Sequence, residues 1–100
     1  MTEKEAKEAL ADCRTRIDTV DRRIVALLNE RTRVVEQIGS IKQQMTMPIY
    51  EPKREDEVFA NVISSNTGPL TPEAAKRIFE RIVDEMRVVQ KNRMEKESQC

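Results

Sequence analysis

The sequence predicts an all-α fold with three helices per chain, in which the long first helix is shared across an intertwined homodimer. Three observations predict this class. Apolar residues recur at alternating spacings of three and four through the first forty residues, as in the seam of a packed helix. Only two glycines and three aromatic residues accompany 36% charged residues, a composition typical of helical proteins. The prolines fall between or at the starts of the periodic stretches.

The first helix is predicted over roughly Lys4 to Gln44, a stretch without proline. Its seam runs through Leu10, Cys13, Ile17, Val20, Ile24, Leu27, Arg31, Val34, Ile38, Ile41 and Met45. A helix of about 40 residues is about 60 Å long, whereas a compact domain of 100 residues has a radius of gyration of about 13 Å. The rest of the chain cannot cover such a helix, so we expect a second copy to complete the core.

Two shorter helices should follow. The first helix has to stop near Pro48, because the residue before a proline avoids the α region. Proline at the first helical position predicts a second helix over residues 52–65, and a turn rich in Ser, Asn and Gly follows it. Thr71 is a candidate N-cap for a third helix over about residues 72–95, which also begins with proline.

Composition excludes several classes of function. Lys plus Arg and Asp plus Glu both number 18, so the bulk attraction that nucleic-acid binders use is missing. Without histidine, His-based acid–base and His-metal chemistry are excluded, and we expect no metal and no cofactor. The sequence has no apolar run long enough for a membrane span and no apolar segment near Met1 that would suggest a secretion signal. Cys13 and Cys100 do not make a disulfide framework, so we expect a cytoplasmic protein. The length of 100 residues predicts one domain over residues 1–100.

Three cations stand on or beside the apolar seam. Arg31 lies within it, and a buried arginine without a partner costs several kcal/mol. It can set the register of the helices, pair with an acid of a second chain, or bind a ligand. Arg14 and Lys42 border the seam, where a solvated cation on an apolar stem is equally ordinary. Taken one at a time, these residues do not require a site.

Three further polar residues have equally ordinary interpretations. Gln90 continues the apolar stripe of the third helix and can be a hydrogen-bonded core residue. Glu55 lies in the first turn of the second helix, where an acid complements the helix dipole. Arg54 beside it can be a surface charge.

Spacing relates the cations to one another. Arg31 and Lys42 are 11 residues apart, which puts them on the same face and about 16 Å apart along a helix. Arg14 is 28 residues from Lys42 and cannot join them within one chain. If two copies cross antiparallel near residue 25, Arg14 of the partner subunit falls between them, and two-fold symmetry makes two sites. Three converging cations predict a ligand with more than one carboxylate.

The residues resemble the all-helical chorismate mutases, which are small intertwined dimers. The pattern Leu-Leu-x-Glu-Arg ends at Arg31, and Lys42 follows 11 residues later. Pro-Ile-Tyr-x-Pro-x-Arg-Glu occupies residues 48–55. Residues 14–21 and 82–90 also match, so the resemblance covers roughly residues 8–92. It implies a Claisen rearrangement of chorismate to prephenate, for which neither a nucleophile nor a proton transfer is needed.

The resemblance also implies roles for individual residues. Arg31 and Arg14 of the partner subunit would bind the two substrate carboxylates. Lys42 would reach a carboxylate and the ether oxygen, and Gln90 would donate to that oxygen from the other side.

The remaining implied roles concern the ring and the site wall. Glu55, with the region of Glu51, would hold the ring hydroxyl, and Arg54 would line the site. Met86 stands where many relatives have a small hydroxyl residue near a carboxylate, so that contact is absent or replaced by water. We see no fused dehydratase, dehydrogenase or synthase domain in these residues, and we therefore expect a stand-alone mutase.

Two other functions compete with this one. Isochorismate–pyruvate lyases use the same scaffold and the same cations, but the segment from Tyr50 to Glu55 looks more like a mutase. A helical dimerisation module without activity would explain the seam, but it would not explain the presence of Arg31, Lys42 and Gln90 on the apolar stripes.

Overall fold

The computed structural model describes residues 1–98 of the chain, and the side chains of residues 1–96. Three helices account for its regular structure: α1 (Glu3–Met45), α2 (Pro52–Ser65) and α3 (Pro72–Ser98). No strand occurs within residues 1–98, so the all-α class is confirmed. The exchange of α1 between two chains stays a prediction. Cys100 lies outside the described residues.

Local side-chain chemistry fixes where the helices begin. Thr2 Oγ1 accepts a hydrogen bond from the Glu5 backbone N–H at 3.1 Å, which caps α1. Thr71 Oγ1 accepts one from the Ala74 N–H at 3.1 Å, so the cap predicted for α3 is confirmed. The start of α2 has a proline in its first turn and no side-chain cap hydrogen bond. There the missing N–H of proline removes one donor that would need a partner.

The end of α1 reverses the chain direction in a short turn. Thr46 adopts a left-handed conformation with φ of 53°. The Met47 N–H then donates to the Lys42 carbonyl at 2.8 Å, a bond that satisfies a carbonyl at a helix C-terminus. The segment that follows leads into α2 at Pro52. This turn sets the course of the chain past the Lys42 side chain.

The chain divides into two compact units, Met1–Arg33 and the part from Val34 onward. The first unit is helical and exposes most of its apolar seam. The exposed fractions there are between 47% and 64% for Leu10, Ile17, Val20, Ile24 and Leu27. None of the large apolar side chains of this unit is buried within the described chain.

The second unit contains the last part of α1 together with α2 and α3. Its buried apolar side chains are Val35, Ala75, Val83 and Met86, which are 5–8% exposed. α1 and α3 approach each other at Gly39, where a Cβ would be in van der Waals contact with the Cα of Gln90 at 3.4 Å. This close approach holds the Gln90 backbone near the last turn of α1. No described helix is long and apolar enough to cross a membrane.

Candidate active site

Lys42 forms the centre of the polar cluster in the second unit. It is 6% exposed, and its Nζ donates to the Ile49 carbonyl at 2.9 Å and to Gln90 Oε1 at 3.0 Å. Glu51 Oε1 lies 3.0 Å from the same Nζ. An ammonium group has three N–H donors, so these three oxygens occupy all of them. The cluster joins the end of α1, the connection to α2, and α3.

The local fold explains why a lysine is buried there. Lys42 lies in the last turn of α1, where the carbonyl end of the helix favours a positive charge. The turn at Thr46 brings Ile49 and Glu51 back over the ammonium group, so the charge has both a carboxylate and a carbonyl partner. Burial of the charge is therefore compensated by hydrogen bonds and one ion pair.

The contact with Lys42 fixes which way the Gln90 amide points. Lysine can only donate, so the oxygen of the amide has to face it. The Nε2 group of Gln90 is then the donor end of the side chain, directed away from Nζ. Gln90 therefore presents an N–H donor beside Lys42, whose three N–H donors already have partners.

A second polar cluster links α2 to α3. Arg87 Nε lies 2.8 Å from Glu55 Oε2, and Arg87 Nη2 lies 3.4 Å from Glu55 Oε1. Arg87 Nη2 also bonds Asp84 Oδ1 at 2.7 Å, and its Cζ lies 5.6 Å from the centre of the Tyr50 ring. The hydrogen bond that Arg87 donates to Glu55 is the main cause that raises the pKa of Arg87 above its ordinary value.

The structure brings together some of the residues singled out in the sequence. Lys42, Gln90 and Glu51 form one cluster, and Glu55 is held by Arg87 instead of joining it directly. Arg54 is exposed and pairs with Glu57 Oε2 at 3.2 Å, one turn along α2.

Three other candidates remain. Met86 is a buried residue of α3. Arg14 and Arg31 belong to the first unit, where Arg14 is exposed and Arg31 is partly buried. Within the described residues, no group of three or more Cys, Asp or Glu side chains could hold a metal ion.

Two contacts of these clusters could not be predicted from the sequence. The Ile49 carbonyl accepts a hydrogen bond from Lys42 because of the backbone conformation of the turn, and the identity of the side chains there does not predict this contact. Arg87 was missed because its main partner, Glu55, lies 32 residues away on another helix. Its spacing of three from Asp84 was the one available signal, and it indicated only an ordinary surface pair.

Comparison with known proteins gives a consistent family assignment. The family described as chorismate mutase type II matches residues 13–91. A bifunctional chorismate mutase/prephenate dehydratase of Aquifex aeolicus is 36% identical over 80 residues, which cover 76% of this chain and 22% of that protein. The chain thus spans about a fifth of the length of that curated relative.

Relatives of similar length are also found. A chorismate mutase of Methanocaldococcus jannaschii is 27% identical over 96 residues, covering 88% of this chain and 90% of that protein. The crystal structure of a Helicobacter pylori chorismate mutase in complex with prephenate is 28% identical and superposes with a TM-score of 0.81, covering 88% of this chain and 96% of that one. With most of its length matched in sequence and in fold, this chain belongs to the chorismate mutase type II family.

Proposed function

We propose that this chain converts chorismate to prephenate by a Claisen rearrangement, as a step of aromatic amino-acid biosynthesis. The observation that carries the proposal is the Lys42–Gln90 pair, a buried ammonium 3.0 Å from an amide oxygen on a facing helix. The family assignment supports the same reaction. No cofactor is required, because one C–O bond breaks and one C–C bond forms within a single molecule.

The chemical task is to hold a flexible dianion in its reactive chair-like conformer and to stabilise the charge that develops. Pre-organising the reacting ends of one molecule can account for several kcal/mol of a barrier, up to about 7–11. Negative charge grows on the ether oxygen as the C–O bond breaks. In the proposed mechanism, the buried Lys42 and the Nε2 group of Gln90 donate to that oxygen from its two sides.

Substrate binding has to replace one partner of the Lys42 ammonium, because all three of its donors are used. Glu51 is the partner we expect to leave, since its side chain is 45% exposed and water can solvate the released carboxylate. A substrate carboxylate or the ether oxygen then takes its place. Glu51 and Glu55 are left to accept a hydrogen bond from the ring hydroxyl.

The proposal includes a homodimer in which each site is completed by Arg14 of the partner subunit. The exposed apolar seam of the first unit supports this, because burying one Leu or Ile side chain contributes about 1.5–3 kcal/mol. Arg31 and the partner's Arg14 would then grip the two carboxylates of chorismate. This part of the proposal rests on the sequence spacing of the cations and on the chain's family.

The remaining features concern the site wall and the location in the cell. Arg54 would line the site, and its exposed pair with Glu57 is worth under about 1 kcal/mol, so the guanidinium can turn toward a ligand. Met86 would lie where relatives place a small hydroxyl group.

We propose a cytoplasmic enzyme acting as one functional domain, and the free thiol of Cys13 is compatible with a reducing compartment.

A chorismate-disappearance assay with product identification tests the proposal. Prephenate formation that is lost in the Lys42→Ala variant would support it. Pyruvate release from isochorismate far exceeding prephenate formation would assign the lyase activity instead. No turnover, together with no thermal shift by a dicarboxylate mimic of the transition state, would favour a helical dimerisation module.

A further inference from the structure

Arg87 joins the middle of α3 to the first turn of α2 through a carboxylate. Its Nε and Nη2 atoms face the two oxygens of Glu55, at 2.8 Å and 3.4 Å. We infer that Arg87 is a positioning residue, which orients the Glu55 carboxylate so that it accepts the ring hydroxyl of the substrate. The inference rests on the proposed function and extends it to a residue that does not touch the substrate.

The pair differs from the other ion pairs of the helices. The Glu55 side chain is 17% exposed and that of Arg87 is 38% exposed. The i,i+3 and i,i+4 pairs Arg54–Glu57 and Arg81–Glu85 have side chains that are 54–77% exposed. Exposed ion pairs of that kind contribute little to the free energy of unfolding and leave their carboxylates free to rotate. A two-point contact with a mostly buried carboxylate instead fixes the plane in which its oxygens lie.

The two distances assign different tasks to the two carboxylate oxygens. Glu55 Oε2 receives the short bond from Arg87 Nε, and this bond anchors the carboxylate. Glu55 Oε1 receives the longer contact at 3.4 Å and so keeps more of its acceptor capacity. Each carboxylate oxygen can accept about two hydrogen bonds. The hydroxyl acceptor of the site is therefore Oε1.

Arg87 is itself held from two further directions. Asp84 Oδ1 bonds its Nη2 at 2.7 Å, and the Tyr50 ring lies under the guanidinium with 5.6 Å between its centre and Cζ. Its raised pKa keeps the group charged. Arg87 also offsets the negative charge of Glu55, which would otherwise repel a dianionic substrate.

A double-variant cycle on the full chain tests the inference. The variants are Arg87→Gln, Glu55→Gln and both together, assayed for kcat/KM with chorismate. Arg87→Gln should lower kcat/KM at least tenfold in the parent, but less than about twofold in the Glu55→Gln background, because the carboxylate it positions is gone. Arg81→Gln is the matched control. It removes another arginine of α3 with an ion pair of 2.8 Å, and activity should stay within twofold of the parent.

A second readout separates positioning from support of the fold. With a chorismate analogue whose ring hydroxyl is replaced by hydrogen, Arg87→Gln should cost no further activity. Equal losses in both backgrounds, or equal losses with both substrates, would overturn the inference while leaving the proposed function intact. A parent protein that makes no prephenate would overturn the proposed function, and the inference with it.

Discussion

Lys42 of α1 and Gln90 of α3 meet across 48 residues of sequence, with 3.0 Å between Nζ and Oε1. The direction of this hydrogen bond turns the amide nitrogen of Gln90 away from the lysine, since two donors cannot face each other. Once the substrate has replaced one partner of Lys42, the Nζ of Lys42 and the Nε2 of Gln90 can both donate to the ether oxygen that develops negative charge.

Removal of the ammonium should slow the reaction strongly. We expect Lys42→Ala to lower kcat by about 10²–10³-fold, the usual effect of deleting a donor to a developing oxyanion. Lys53→Ala is the control, because that lysine is exposed in the first turn of α2. Steady-state assays should be run where both variants are folded, since Lys42→Ala also leaves the partly buried acceptors Ile49 O and Gln90 Oε1 without this donor. Near-parental turnover would remove Lys42 from the mechanism.

The donor role of Gln90 can be made dependent on pH. In Gln90→Glu, an ionised carboxylate can still accept from Lys42, but it cannot donate to the ether oxygen. We expect low activity at neutral pH and rising kcat as the pH falls toward the ordinary glutamate pKa of about 4.3, where the protonated group donates again.

Gln90→Leu is the matched control for this effect, since it has no donor at any pH. Its kcat should follow the parental pH profile at a lower level. Parallel profiles for the two variants would mean that hydrogen-bond donation by Gln90 plays no part in the rate.

Gly39 gives a prediction about packing between α1 and α3. A Cβ at this position would contact the Gln90 Cα at 3.4 Å and the Arg93 Cβ at 3.5 Å, which are ordinary van der Waals distances. Gly39→Ala should therefore be tolerated, and the helix propensity of alanine should add up to about 1 kcal/mol of stability. Gly39→Leu should separate the helices and lower both the thermal midpoint and kcat. Chemical denaturation measures the first effect, and a destabilised alanine variant would contradict the packing described.

Local rules predicted the helices well. α2 was predicted over residues 52–65 and lies there, and α3 begins at Pro72 beside the expected Thr71 cap. Prolines and caps act within a few residues, so one sequence is enough to locate them. The predicted end of α3 near residue 95 fell short of Ser98, because charged residues continue a helix without any apolar stripe.

The site was only partly predictable. Gln90 and Lys42 could be named from the family pattern, but their mutual contact depends on the approach of α1 to α3 at Gly39. Arg87 has its main partner on a different helix, and nothing local distinguishes it from the other arginines of α3. Contacts of this kind arise from tertiary packing, which periodicity does not encode.

Mixing two inactive variants tests the central claim most directly. If Arg14 of one subunit completes the site that holds Lys42 of the other, then Arg14→Ala and Lys42→Ala chains should complement each other after refolding together. Half of the dimers would be mixed and each would have one intact site, so activity should recover to about a quarter of the parental value. Lys42→Ala mixed with Arg31→Ala should recover nothing, because each site would still lack one residue. A mixture of the first two variants that stays as inactive as its components would contradict the shared site.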